Sequence, residues 1–137
     1  MSRNLVLVTV DSLRADHLGC YGYERDTTPR LDEYAESGHL FTSAFSHACA
    51  TRPAFPGILT SSHSLMYGGF ERMTEGRTLI AEVLSGQDHS TAGFHSNQYL
   101  SADFGYGRGF DRFFESQENP SATTKLRGWL KSNLDTN

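Results

Sequence analysis

Apolar and polar positions change period several times along the chain, and each change marks an element. Asn4 to Val10 is an unbroken, valine-rich apolar run that ends on Asp11. Such a run predicts a strand covered on both faces, as in a parallel sheet flanked by helices. Ser12 to Tyr23 is irregular and glycine-bearing, which predicts a loop with one short helical turn. Thr28 precedes Pro29, and Leu31, Tyr34 and Ala35 then recur at helical spacing up to Gly38, so a helix is predicted there. His39 to Phe45, with Leu40, Phe41 and Phe45 as its apolar members, predicts a second strand running into the loop that ends at Thr51.

Thr51 to Ser61 predicts a short helix. A start at Pro53 puts Pro56 at the fourth position, where its missing N–H removes only the first intrahelical bond. Ser61 to Gly76 is polar and glycine-bearing and reads as a surface loop. Thr78 to Leu84, with Leu79, Ile80, Val83 and Leu84 on one face and Gly86 after it, predicts the next helix. Ser90 to His95 predicts a third strand, and Asp103 to Phe114 a loop packed by its own rings. Thr123 to Leu134, with Leu126, Trp129, Leu130 and Leu134 apolar, predicts a last amphipathic helix. Strands alternating with helices define an α/β layered domain.

The chain's 137 residues suit one domain, and its 37% hydrophobic and 20% charged residues suit a globular one. A net charge of −4 without a basic run argues against nucleic acid or an anionic membrane as partner. No apolar stretch reaches the ~20 residues of a membrane span, and Ser2-Arg3-Asn4 leads into a strand pattern, giving an expectation of a cytoplasmic protein. Cys20 and Cys49 lack the spacing of a disulfide framework or a zinc site and are expected to be small buried residues.

Ligand sites in parallel sheets lie beyond the carboxyl ends of the strands. Asp11 falls there, either as a carboxylate ligand to a divalent cation or as the cap of the next turn. Thr51 also follows a predicted strand. It either caps the helix or presents a hydroxyl beside an oxyanion held at the helix start. If the two strands are parallel neighbours, Asp11 and Thr51 meet at one sheet edge. Together they form a coherent set for displacement at phosphorus or sulfur: Thr51 attacks, Asp11 and Thr51 help hold the metal, and Arg52 lies beside the anion.

His95 and Asn97 follow the third predicted strand. They either act on the leaving group and the substrate oxygens or belong to a surface loop. Asp16 and His17 read as turn or exposed residues, and His39, His47, His63 and His89 as structural or solvent-facing. Gly105-Tyr106-Gly107-Arg108-Gly109 fails the dinucleotide pattern at Phe110 and lacks a Walker lysine, so it reads as a packing turn.

Val8 to Tyr23, reading Val-Thr-Val-Asp-Ser-Leu-Arg-Ala-Asp-His-Leu-Gly-Cys-Tyr-Gly-Tyr, resembles the opening of sulfatases of the alkaline phosphatase superfamily. Thr27 to Asp32, Gly38 to Phe41 and Gly107 to Phe113 resemble later segments. Thr51-x-Pro53 with Leu59-Thr60 is similar to the family's signature, Cys/Ser-x-Pro-x-Arg followed by Leu-Thr-Gly. The resemblance implies a three-layer α/β/α fold and metal-assisted hydrolysis of small-molecule sulfate or phosphate esters. Calcium is the first-choice ion, with manganese or zinc as alternatives.

Three positions depart from the pattern. Ser12 stands where sulfatases have a second aspartate, and Phe55 where they have the signature arginine. Thr51 cannot give the formylglycine aldehyde that cysteine or serine gives, so direct attack by threonine, as in phosphohydrolase relatives, is expected. Family members draw further metal ligands, an Asp-His or Asp-Asn pair, from later in the chain. After Asp111 the only aspartate is Asp135, with no histidine near it. The expectation is an N-terminal piece of a sulfatase-like domain with an incomplete metal site, pairing with itself or with a C-terminal segment.

Overall fold

The computed structural model describes residues 4–116 and, beyond them, Gly128, Trp129, Lys131 and Ser132. Those last four are helical, and the rest of the helix expected over 123–134 lies outside the described residues. The chain forms two units, residues 1–45 and 46–137.

In the first unit, α1 spans Pro29–Ser37 as predicted. Proline takes the first position because its missing N–H has no intrahelical partner there, and the Gly38 N–H closes the helix on the Tyr34 carbonyl. Asp32, in the first turn, anchors the preceding segment. Its Oδ1 accepts from the Cys20 N–H at 2.7 Å, and Thr28 Oγ1 donates to the same oxygen at 3.2 Å. Short 3₁₀ turns at Ala15–His17 and Gly19–Tyr21 occupy the loop expected to hold one.

Both expected strands of this unit are missing. Residues 4–10 and 39–45 enter no ladder among the described residues, and Leu5, Val6, Leu7, Val8 and Val10 are 54% to 75% exposed. The alternation and β-branching are those of a buried strand, but a strand exists only through a hydrogen-bonded neighbour, and none is paired here.

The second unit holds the core. Helix α2 spans Thr51–Thr60, so it begins two residues before the expected start and Pro56 is its sixth residue. The vacant bond is therefore the one to the Arg52 carbonyl. Burial of the Pro56 ring offsets part of a cost of about 3 kcal/mol. Helix α3 spans Ile80–Ser85. Glu82 reaches back to accept from the Leu79 N–H at 2.8 Å, one half of a capping box. The apolar face differs from the expected one: Leu79 and Ala81 are buried, whereas Ile80 and Val83 are exposed.

Strand β1 spans Ala92–His95, as expected, and pairs in parallel with β2, Arg112–Glu115, in a region read from sequence as loop. Parallel pairing needs a long crossover, supplied here by residues 96–111 with 3₁₀ turns at Gln98–Leu100 and Ala102–Phe104. Phe94 stacks on Phe114 across the pair, centroids 4.7 Å apart. Met73, Leu100 and Tyr106 form the core cluster, flanked by Phe55, Leu59, Phe104 and Phe113. The fold is thus α/β with a parallel strand pair. No helix among the described residues is long and apolar enough to cross a membrane.

The glycine-rich stretch is a packing turn. Gly109 (φ +79°) approaches so closely that an added Cβ would lie 2.3 Å from the Glu82 nitrogen. Arg108 donates to the carbonyls of Thr74 at 3.1 Å and Arg77 at 2.6 Å. The cysteines are not buried: Cys20 is half-buried and Cys49 exposed.

Candidate functional site

Thr51 is the first residue of α2, and Ala50 holds the N-cap position without a side-chain cap bond. Thr51 is therefore the first helical residue, one position beyond the N-cap. The first intrahelical bond runs from the Ala54 N–H to the Ala50 carbonyl at 3.1 Å, and Pro53 contributes no donor to the first turn.

Arg52 is anchored within that turn. Its guanidinium pairs with the Glu71 carboxylate, donates to the Glu71 carbonyl at 3.2 Å, and lies 5.3 Å from the Tyr99 ring centroid and 5.5 Å from that of Phe104. Phe104 lines a cleft of about 260 Å³ that also carries His95, Asn97 and Glu115. Arg52 thereby links the start of α2 to the cleft.

His95 ends β1 with its side chain 12% exposed. Its Nδ1 is 2.9 Å from the Asn97 carbonyl oxygen, which can only accept, so Nδ1 carries the hydrogen. Nε2 is buried without a hydrogen-bond partner, 3.8 Å from Glu115 Oε1. The Asn97 side chain accepts from the Tyr99 N–H at 2.9 Å, capping the first 3₁₀ turn of the crossover. Glu115 Oε1 also accepts from the Ala102 N–H at 2.7 Å. Glu71 and Glu115, absent from the sequence reading, are the acidic partners of the predicted residues. Neither lies in a motif or a periodic pattern, so only the fold reveals them.

Asp11 belongs to the first unit, exposed, with Ser12 Oγ donating to it at 3.4 Å. Neither the segment before it nor the one before Thr51 is a strand, so the expected meeting at a sheet edge has no ladder beneath it. Among the described residues no three of His, Cys, Asp and Glu gather closely enough to hold a metal ion. The described residues thus do not fit a divalent cation by themselves. Asp16 serves its own turn: Arg14 beside it, then His17, holds its carboxyl down at about 2.

Phe55 meets Tyr106 edge-on at 6.5 Å and packs against the Met73–Leu100–Tyr106 cluster. Phe55, at the position that the resemblance gives to an arginine, is thus packed against the core.

The sulfatase family model matches residues 3–133, and the chain belongs to the sulfatase family. It is 33% identical over 98 residues to an arylsulfatase of Clostridium perfringens, covering 70% of this chain and 20% of that protein. With an ulvan-active sulfatase of Formosa agariphila it shares 32% over 80 residues, 58% of this chain and 16% of that one. With human arylsulfatase D it shares 24% over 159 aligned residues, 96% and 27% respectively. The chain thus spans between 16% and 27% of the length of these relatives. No solved structure matches significantly.

Proposed function

We propose that the chain is the nucleophile-bearing, N-terminal part of a sulfatase-like hydrolase of small sulfuric or phosphoric esters, with a three-layer α/β/α architecture. The observation that carries this reading is the coupling of Thr51's helix start to the cleft through Arg52. The Thr51 hydroxyl attacks sulfur or phosphorus and gives up its proton to water, the bond to the ester oxygen breaks, and the departing alkoxide takes up a proton. Water then hydrolyses the threonine ester and restores the hydroxyl. Arg52 faces the anion once Glu71 yields to it. His95, once Nε2 carries a second hydrogen beside the one Nδ1 donates to the Asn97 carbonyl, supplies the leaving group's proton, and Asn97 hydrogen-bonds substrate oxygens. Asp11 offers a single carboxylate toward calcium, manganese or zinc, and none of these steps is assigned to an ion. The test is mass spectrometry of acid-quenched protein incubated with an aryl sulfate or aryl phosphate. A sulfuryl or phosphoryl group on the peptide containing Thr51 is expected; a group on another residue would reject the assignment.

A second reading, a catalytically silent module that self-associates, is favoured by the exposed apolar segment 5–10 together with Phe41 and Phe45.

A further inference from the structure

The most buried charge among the described residues is Arg77, 1% exposed. No carboxylate pairs with it among the described residues. Its guanidinium is held by oxygens of a single loop. Nη1 donates to Ser62 Oγ, and Nη2 to the carbonyls of Ser64 at 2.9 Å, Met66 and Gly69 at 3.0 Å. The Tyr67 ring lies 5.5 Å away. Tyr67, Gly68 and Gly69 are consecutive residues in the left-handed region, with φ of 54°, 90° and 98°. An aromatic residue rarely adopts that backbone, and here the whole run curls around one cation. The two planar amino groups of the guanidinium, Nη1 and Nη2, serve these oxygens, while Nε is buried without a hydrogen-bond partner.

The loop leads to Glu71. Two residues before it, Gly69 is fixed by Arg77; just after it, Arg72 donates to the Asp103 carbonyl at 3.1 Å and the Met73 N–H to that of Phe104 at 2.7 Å. Glu71 is thus strung between two anchored points and holds Arg52, the neighbour of Thr51. We propose that Arg77 is a positioning residue: its buried guanidinium sets the 62–69 loop, and through Glu71 it sets where the Arg52 charge stands beside Thr51. The significance of that placement rests on the hydrolase reading; the placement itself does not.

The experiment is proton–nitrogen correlation spectroscopy with amide exchange on the isotope-labelled full chain, comparing wild type, Arg77→Lys, Glu71→Gln and the double variant. Lysine keeps the charge but not the fork. Arg77→Lys is expected to speed exchange at the Met66 and Gly69 amides by roughly 10-fold or more. It is also expected to move the Arg52 Nε–H signal toward its position in Glu71→Gln. The double variant is expected to move that signal no further than Glu71→Gln alone. In Arg77→Ala, added methylguanidinium is expected to restore the Arg52 signal. Unchanged exchange and an unchanged Arg52 signal in Arg77→Lys overturn the proposal, as does a full additional shift in the double variant. Should Arg77→Ala not fold, the lysine and glutamine variants decide alone. If Arg52 responds as expected while Thr51 proves inert toward esters, the positioning role stands and the hydrolase reading falls.

Discussion

Tyr106 shows how a single residue in the core registers its surroundings. Only 3% exposed, it has its phenol pushed up to about 12 because burial penalises the phenolate, with the positive charges of Arg77 and Arg52 opposing. A pKa above the ordinary 10.0 means that the folded chain holds this proton where the unfolded chain releases it. The resulting stability is fully present below pH 10 and is lost as pH rises toward about 12. Urea midpoints measured across that range are expected to fall with pH in the wild type. In Tyr106→Phe they are expected to fall less, because phenylalanine has no proton to lose.

Local chemistry is where the sequence was most legible. Pro29 and Gly38 bounded α1, and Gly86 closed α3, because cap preferences are set by backbone geometry over a few residues. The chain's own signals failed where distant partners decide. The segments 4–10 and 39–45 have strand composition and no ladder, while β2 lay hidden in a glycine- and phenylalanine-rich stretch that becomes a strand by pairing with β1. Of the site, Thr51 and His95 were visible from motif and strand end, whereas Glu71 and the guanidinium of Arg77 were not. Contacts between carbonyls and a cation leave no periodic trace. At this scale Gly109 lies close against the backbone of α3. Gly109→Ala places a methyl group against the Glu82 and Ala81 backbone at φ +79°, where no side chain can rotate away. A loss of about 3 kcal/mol or more is expected, read from urea unfolding followed by circular dichroism. A change within 0.5 kcal/mol, the range of an ordinary surface substitution, would show that this packing is not held in solution.

Across the whole molecule, the imbalance is between a second unit with a core and a first unit with no buried residue among those described, whose apolar run stands exposed on both faces. All side chains of residues 5–10 except Thr9 are apolar, and their strand-forming backbone has no ladder partner among the described residues. The expected consequence is association between copies of the chain. Sedimentation velocity should show mass increasing with concentration, and Val6→Lys with Val8→Lys should shift the population to monomer. A wild-type monomer at all concentrations would remove the self-association reading.

The claim that organises these scales is that Thr51 occupies the nucleophile position of a sulfatase-like hydrolase. Its most direct test is turnover of aryl sulfate, phosphate monoester and phosphodiester substrates, each with calcium, manganese or zinc, by wild type and Thr51→Ala. Release of the aryl alcohol by the wild type, reduced about 10³-fold or more in Thr51→Ala, is the predicted result. Turnover that persists unchanged in Thr51→Ala would contradict it.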